Sequence, residues 1–163
     1  EESLKMPFIV KWPGTVKPGS RNHNLIQNLD YAETFLEMAG APIPDDMQGA
    51  SLVPLLKGEK PTDWRKSIYY HYYEYPSVHM IPRHYGIRNQ RYKLMHFYQF
   101  DEWEFYDLKE DPDELVNLYN DPEYARRIQR AKKDLKALQK DYEDDSDISV
   151  MPKEWQYKVR DRG

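Results

Sequence analysis

The sequence predicts an α+β fold in which a four-stranded antiparallel sheet is packed on one face by one long C-terminal helix. Between residues 67 and 108, four aromatic-rich runs joined by short links indicate strands. After residue 121, apolar residues recur at alternating steps of four and three, which is typical of an amphipathic helix. The chain has 163 residues, of which 39% are apolar, and it contains 14 Tyr, 5 Phe and 4 Trp. Because aromatic rings bury large areas, we expect most of the chain to be folded.

The first predicted element is a buried strand. Residues Phe8–Trp12 form a short apolar run that Pro13 and Gly14 close. A strand that is apolar throughout is typical of a sheet covered on both faces. Its sheet partners are expected upstream of Glu1, where the chain begins without an initiator Met or a signal sequence and therefore resembles the interior of a longer polypeptide.

The first predicted helix begins near Asp30, where the sequence DYAE resembles a capping box, and stops at Gly40. Its expected buried face has helical spacing and consists of Ala32, Phe35, Leu36 and Ala39. Ser51 is expected to cap one or two helical turns through Leu52–Leu56, which Gly58 ends.

The strands follow a change to a period of two, which is typical of a sheet. They are predicted at Ser67–Tyr75, Tyr85–Arg88, Arg91–Tyr98 and Glu102–Leu108. The second and third form a predicted hairpin around Asn89-Gln90.

The last predicted helix begins at Asp121, an expected N-cap that Pro122 follows. Its apolar face is expected to consist of Tyr124, Ile128, Ala131, Leu135, Leu138 and Tyr142. The helix is expected to end at Asp144–Asp147, before an irregular tail.

Composition and charge exclude several classes of protein. No apolar run approaches the ~20 residues of a membrane span, and the absence of cysteine excludes disulfides, thiolate zinc sites and a cysteine nucleophile. The net charge is -4, yet residues 67–100 carry four basic residues, one acidic residue and four of the five His. This distribution disfavours a nucleic-acid binder and favours local binding of one small anion.

The candidate binding residues lie in this cationic stretch. The link between the first two predicted strands contains His79, Arg83 and His84. His71 lies on the first predicted strand. An Arg with neighbouring His donors suits a sulfate, phosphate or carboxylate, whereas an ordinary polar loop remains the alternative. The His spacing does not match a zinc site, and the acidic residues of 101–114 do not match an EF-hand.

Four segments together resemble the C-terminal part of the type I, formylglycine-dependent sulfatases. Glu1–Gly14 is similar to the family's "YEESLRxPxIVRWPG" segment, and Asn28–Gly40 to its "DxxxTxxxxAG" helix. Gln48–Leu56 is similar to "QGxSLxPLL", and Glu104–Asn117 to the closing "ELYDLxxDPxExxN". The blocks occur in the family's order over residues 1 to about 120, and a long helix follows them there as well.

The resemblance implies an alkaline-phosphatase-like fold, with a large α/β domain followed by a smaller antiparallel sheet and helix. Residues 1–58 are then expected to be the C-terminal end of the catalytic α/β domain. Residues 59–145 are expected to be the sheet-and-helix subdomain, and residues 146–163 the irregular tail.

The resemblance also implies hydrolysis of sulfate esters by a formylglycine, with Ca²⁺ and basic side chains holding the sulfate. Formylglycine arises within C/S-x-P-x-R, which this sequence lacks. The formylglycine and the calcium ligands are therefore expected upstream of residue 1, in an N-terminal catalytic portion of the same polypeptide. The chain itself is expected to carry no catalytic or metal-binding residue and to be inactive alone.

Within the family, the aromatic strand and the 79–86 loop are similar to bacterial N-acetylglucosamine-6-sulfatases that act on glycosaminoglycans. By this resemblance, His79, Arg83 and His84 are expected to contact the sulfated glycan, and the protein to be exported to the periplasm or secreted. Two alternatives stay open. One is a non-catalytic glycan-binding or degenerate sulfatase-like module, and the other is a related phosphatase or phosphonate hydrolase on the same fold.

Overall fold

The computed structural model describes residue 1, residues 3–75 and residues 79–145. The chain divides into two compact units, residues 1–68 and the residues from 69 onward. The domain boundaries expected from the sequence stay predictions, and the expected tail at 146–163 lies outside the described residues. No helix in the described part of the chain is both long and apolar enough to cross a bilayer.

The first unit contains helix α1 at Asp30–Met38, where the sequence predicted a helix. The predicted cap and buried face are wrong. The N-cap is Leu29 without a side-chain bond, and the buried residues of α1 are Asp30, Glu33 and Thr34. Phe35, expected in the core, is 66% exposed. The polar face can be buried because its side chains accept hydrogen bonds from nearby donors. These bonds offset the usual free-energy cost of burying polar groups.

Those donors belong to the segment that precedes helix α2, Val53–Leu56. Three backbone N–H groups donate to α1 side chains: Gly49 to Glu33 (2.6 Å), Ala50 to Asp30 (2.9 Å) and Leu52 to Thr34 (2.8 Å). Arg65 adds a two-pronged ion pair to Asp30, at 2.5 and 2.6 Å. The N-cap of α2 is Leu52 rather than the predicted Ser51, although Ser51 Oγ accepts a hydrogen bond from the Val53 N–H at 3.2 Å. We use the name α1 clasp for the three hydrogen bonds that α1 side chains accept from the backbone N–H groups of Gly49, Ala50 and Leu52.

The predicted strand Phe8–Trp12 forms no strand in the structure. Ile9 is 91% exposed, and Phe8 stacks on Tyr31 of α1 with ring centroids 5.1 Å apart. A strand needs a neighbouring strand to satisfy its backbone groups, and no described residue pairs with this segment.

The second unit is built on the sheet, whose four predicted strands are confirmed. They are β1 (Ser67–Tyr72), β2 (His84–Asn89), β3 (Tyr92–Phe97) and β4 (Glu102–Asp107), in the order β1-β2-β3-β4. β2 pairs antiparallel with β3, and β3 with β4. Asn89 holds the turn between β2 and β3, because its Oδ1 accepts hydrogen bonds from the backbone N–H groups of Tyr92 (2.8 Å) and Arg91 (2.9 Å).

Helix α3, Ala125–Asp141, covers one face of this sheet, and a 3₁₀ turn at Pro122–Tyr124 precedes it. The predicted cap is confirmed, since Asp121 Oδ1 accepts from the Glu123 N–H at 2.9 Å. The core contains Tyr69, Ile87, Leu94, Phe105, Ile128 and Leu135, and the other predicted apolar positions of the helix pack against it. The period of the sequence therefore identified the buried face of α3 correctly.

The outer edge of β4 is covered by the segment around Asn117. The Asn117 side chain accepts from the Phe105 N–H and donates to the Trp103 carbonyl, at 3.0 and 3.1 Å. The Leu118 N–H donates to the Phe105 carbonyl at 2.8 Å. Because unpaired edge strands tend to pair with other chains, this cover protects the sheet as well as stabilising it.

Candidate functional site

Two of the three predicted site residues, Arg83 and His84, are neighbours in sequence at the start of β2, but their side chains contact opposite faces of the sheet. Arg83 lies over Tyr98 on the face that carries His71, whereas His84 packs on Tyr70 and Tyr72 on the other face. Arg83 is buried, and its backbone N–H donates to Gln99 Oε1 at 3.0 Å. The guanidinium carbon of Arg83 lies 5.5 Å from the centroid of the Tyr98 ring. A cation over an aromatic face is held in place by the ring's electrons while keeping its charge.

His84 is fixed by one hydrogen bond and three rings. Its Nδ1 donates to the Pro82 carbonyl at 2.8 Å. The imidazole stacks on Tyr72 at 5.4 Å, and Tyr70 and Phe97 contact it at 5.8 and 4.9 Å. Burial lowers the pKa of His84, and the hydrogen bond to Pro82 opposes that shift. His84 is therefore neutral near pH 7, with Nε2 as an acceptor that has no hydrogen-bond partner among the described residues.

The third predicted residue, His79, lies apart from this pair. It occupies an exposed turn and makes no hydrogen bond, ion pair or ring contact within the described part of the chain. The next residue, Met80, has a φ of 51°, in the left-handed region. Residues 76–78, between β1 and His79, lie outside the described residues.

A polar cluster that the sequence did not predict as a site lies on the α3 face of the sheet. His71 on β1 shares a hydrogen bond with Asp144 through Nδ1 (2.7 Å) and with the Tyr98 hydroxyl through Nε2 (3.1 Å). The Tyr69 hydroxyl also donates to Asp144. The sequence offered a weak signal, because His71 and Tyr69 share a face of the strand, but nothing in it placed Asp144 beside them.

This cluster is arranged to hold structure rather than to perform chemistry. Burial lowers the pKa of His71 although Asp144 opposes the shift, so the imidazole is neutral, donates from Nδ1 and accepts from Tyr98. Burial also raises the pKa of Tyr98, and burial together with the Asp144 bond raises that of Tyr69. Neither hydroxyl is therefore activated as a nucleophile.

The described residues also provide no metal centre. Among them, no group of three or more His, Cys, Asp or Glu side chains is placed to hold a metal ion. Two of the acidic side chains near 101–114 have structural partners: Asp107 binds Arg91 and Glu114 binds Lys93, each with a closest approach of 2.7 Å.

The fold is that of the sheet-and-helix part of alkaline-phosphatase-like hydrolases. A phosphonate monoester hydrolase from Silicibacter pomeroyi matches over 81% of this chain and 28% of its own, with a TM-score of 0.70 and 24% identity, which shows the fold alone. The chain belongs to the family of N-sulphoglucosamine sulphohydrolase C-terminal domains, whose model matches residues 1–141. The resemblance to the C-terminal part of sulfatases is therefore confirmed.

Two further matches, one by sequence and one by structure, are to sulfatases at higher identity. The chain is 49% identical over 147 residues to the N-acetylglucosamine-6-O-sulfatase of Bacteroides thetaiotaomicron, which covers 88% of this chain and 26% of that protein. It also matches the solved structure of BT4656 in complex with its substrate D-glucosamine-2-N,6-O-disulfate. That match has a TM-score of 0.82 and 48% identity, and it covers 85% of this chain and 28% of the other. The chain thus spans about a quarter of the length of the relatives it matches.

Proposed function

We propose that the whole protein carrying this chain is a sulfatase that hydrolyses 6-O-sulfate esters of N-acetylglucosamine in glycosaminoglycans. The observation that carries the proposal is the 49% identity over 147 residues to an N-acetylglucosamine-6-O-sulfatase. A TM-score of 0.82 to a sulfatase in complex with a 6-O-sulfated glucosamine supports the same substrate class. The chain contributes the C-terminal part of this enzyme.

In this proposal, His79, Arg83 and His84 contact the sulfated sugar. The Arg83 guanidinium supplies a permanent positive charge for a sulfate or carboxylate. The neutral His84 supplies Nε2 as an acceptor for a sugar hydroxyl, since Nδ1 is already bonded to Pro82. His79 is exposed in a turn and is free to approach an extended glycan from solvent.

The formylglycine nucleophile and the calcium ion of the family do not fit the residues described here. The sequence has no C/S-x-P-x-R motif, and the described residues offer no cluster of metal ligands. We therefore assign both groups to an N-terminal catalytic portion of the same polypeptide. On this basis the chain alone binds and orients substrate without hydrolysing it.

The exposed apolar side chains of the first unit support the assignment of such a partner. Met6 and Ile9, three residues apart, and Phe35 on α1 are all largely exposed, and a concentration of exposed apolar side chains is typical of a protein-contact surface. The N-terminal portion is the proposed partner of this surface. The proposed location is the periplasm or the exterior of the cell, as for exported sulfatases.

The test is sulfate release from N-acetylglucosamine-6-sulfate by the full-length protein, with the 163-residue chain as the control. The expected result is release by the full-length protein alone. A phosphonate monoester and a phosphate monoester are assayed in parallel. Hydrolysis of either one without sulfate release would assign the protein to the phosphonate hydrolase or phosphatase class. Failure on all substrates, with retained glycan binding, would identify a degenerate module.

A further inference from the structure

The second unit contains an open cavity of about 240 Å³ where the β2–β3 hairpin meets α3. Its wall is mainly aliphatic: Ile87 and Leu94 line it from the core and are almost fully buried, and the half-buried Ala131 is the part of the wall that is open to a ligand. Its rim is cationic and comes from the first half of α3, where Arg126, Arg127 and Arg130 line it. The structure thus places three arginines around one cavity.

The guanidinium groups are available to a ligand. Arg126 makes no hydrogen bond, ion pair or ring contact with any described residue. Arg130 uses only Nε, which donates to both carboxylate oxygens of Asp134 at 3.0 Å. The two terminal nitrogens of Arg130 therefore keep their donors. Arg127 is held over the rings of Tyr124 and Tyr92, at 5.5 and 5.8 Å, which fixes its position without using its charge.

A neutral donor completes the rim. Asn89 lines the cavity, and its Oδ1 is occupied by the backbone N–H groups of the hairpin turn. Its Nδ2 has no hydrogen-bond partner among the described residues. Asp134 is the one acidic side chain among the described lining residues, so three arginines face one carboxylate. The cavity therefore has a net positive charge, which attracts an anion.

We infer that this cavity binds one sulfated sugar unit of an anionic oligosaccharide. The arginines hold the sulfate through charge-assisted hydrogen bonds, and the C–H groups of the sugar ring pack on the aliphatic wall. The inference rests on the proposed function for the identity of the glycan. The cavity shares no residue with His79, Arg83 and His84, so the two sets of contacts are separable by mutation.

The same charges suit a nucleic acid less well. Single strands bind proteins by stacking bases on free aromatic faces. The one aromatic ring of the described lining, Tyr92, is already covered by Phe105, stacked at 5.4 Å, and by Arg91 and Arg127, at 5.2 and 5.8 Å. A sulfated sugar needs no free aromatic face here, because its sulfate binds the arginines and its C–H groups can pack on the half-buried Ala131.

The experiment compares two double variants of the full-length protein that lose the same charge from the same helix. Arg126→Gln with Arg130→Gln removes two rim cations and leaves Arg127 on its rings. Lys133→Gln with Lys136→Gln is the matched control, since both lysines are exposed and neither lines the cavity. The probe is a defined sulfated hexasaccharide, titrated by calorimetry, and hydrogen exchange of the 125–131 amides with and without the hexasaccharide locates its binding. Thermal unfolding verifies that both variants are folded.

The arginine variant is expected to bind the hexasaccharide at least about tenfold more weakly, because the loss of even one of its charge-assisted hydrogen bonds weakens binding by about that factor. The lysine variant is expected to stay within about twofold, as for exposed charges. The wild-type protein should show protection at 125–131, and the arginine variant should lose it. Equal weakening in both variants, or no protection there, would overturn the inference. Protection by a single-stranded oligonucleotide of equal charge but not by the hexasaccharide would also overturn it.

Sulfate release from N-acetylglucosamine-6-sulfate, measured on the same proteins, separates this inference from the proposed function. The arginine variant is expected to release sulfate from the monosaccharide at the wild-type rate. If no protein releases sulfate, the proposed function fails, and the hexasaccharide titration still decides whether the cavity binds the glycan. If the wild type releases sulfate and both variants bind the hexasaccharide equally, the inference alone fails.

Discussion

Replacing Asn117 by Ala should destabilise the sheet more than its exposed position suggests. The Asn117 amide makes three hydrogen bonds to backbone groups: Oδ1 accepts from the N–H groups of Phe105 and Tyr119 at 3.0 Å each, and Nδ2 donates to the Trp103 carbonyl at 3.1 Å. Two of these partners belong to β4, the last strand of the sheet. Ala removes all three bonds and uncovers the strand edge.

The magnitude follows from what each partner loses. A neutral hydrogen bond contributes about 1 kcal/mol net, and a buried donor left without a partner costs about 1–3 kcal/mol. Phe105 is fully buried, so its N–H is the donor at risk, whereas the bonds to Tyr119 and Trp103 are exposed to water. We therefore expect Asn117→Ala to lower the free energy of unfolding by about 2–3 kcal/mol. Asn117→Asp keeps both accepting bonds and should lose about 1 kcal/mol.

The assay is urea unfolding followed by tryptophan fluorescence, with hydrogen exchange of the Phe105 amide as the local probe. Asn120→Ala is the matched control, because Asn120 is exposed three residues away and its side chain makes no hydrogen bond within the described part of the chain. It should change the free energy of unfolding by less than about 0.5 kcal/mol. If Asn117→Ala matches the control and the Phe105 amide exchanges no faster, the Asn117 bonds do not support the edge.

Three further predictions concern the rest of the chain. His84→Ala in the full-length protein should lower kcat/KM for the sulfated sugar about tenfold, and a change within about twofold would exclude a substrate contact. Gly49→Ala should lower the free energy of unfolding by about 1–3 kcal/mol, because the added Cβ would overlap the Glu33 carboxylate. In a Glu33→Ser background the same change should cost much less, since the overlapping carboxylate is gone. An unchanged Tm for Gly49→Ala in the wild type would contradict the α1 clasp. Burial lowers the pKa values of His71 and His84, so the unfolded chain binds more protons below about pH 6.5 and stability should fall as pH decreases through that value. A urea midpoint that is equal at about pH 7.5 and 5.5 would refute this last prediction.

The sheet and α3 were predictable because their side chains follow a single period over many residues. Along α3, Ile128 and Leu135 fall on one stripe, and both pack on the sheet. The strands alternate in the same regular way, so that Leu94 and Phe105 face the helix side by side in register. Where one face is buried and the other is wet, the pattern of the sequence carries enough information to assign both.

Helix α1 shows where that reasoning fails. Its apolar stripe predicted the buried face, but the structure buries Asp30 and Glu33 and exposes Phe35. The buried carboxylates are stable because distant backbone N–H groups and Arg65 bind them, and these contacts span up to 35 residues. A periodicity argument considers only neighbours on the helix, so it has no means to find donors at that distance. The pairing of His71 with Asp144, 73 residues away, was missed for the same reason.

The motifs that identify the family are mostly those that fix the backbone. Asp30 and Thr34, in the helix segment, accept N–H groups from the "QGxSL" segment through the α1 clasp. Asp107 and Asn117, in the closing segment, bind Arg91 and the edge of β4. Such residues tolerate few replacements, because each has several fixed partners at once. The proposed sugar contacts, in the 79–84 loop and in the cavity on α3, lie outside these family segments. If the proposals hold, substitutions there change sugar specificity while leaving the backbone contacts of Asp30, Thr34, Asp107 and Asn117 in place.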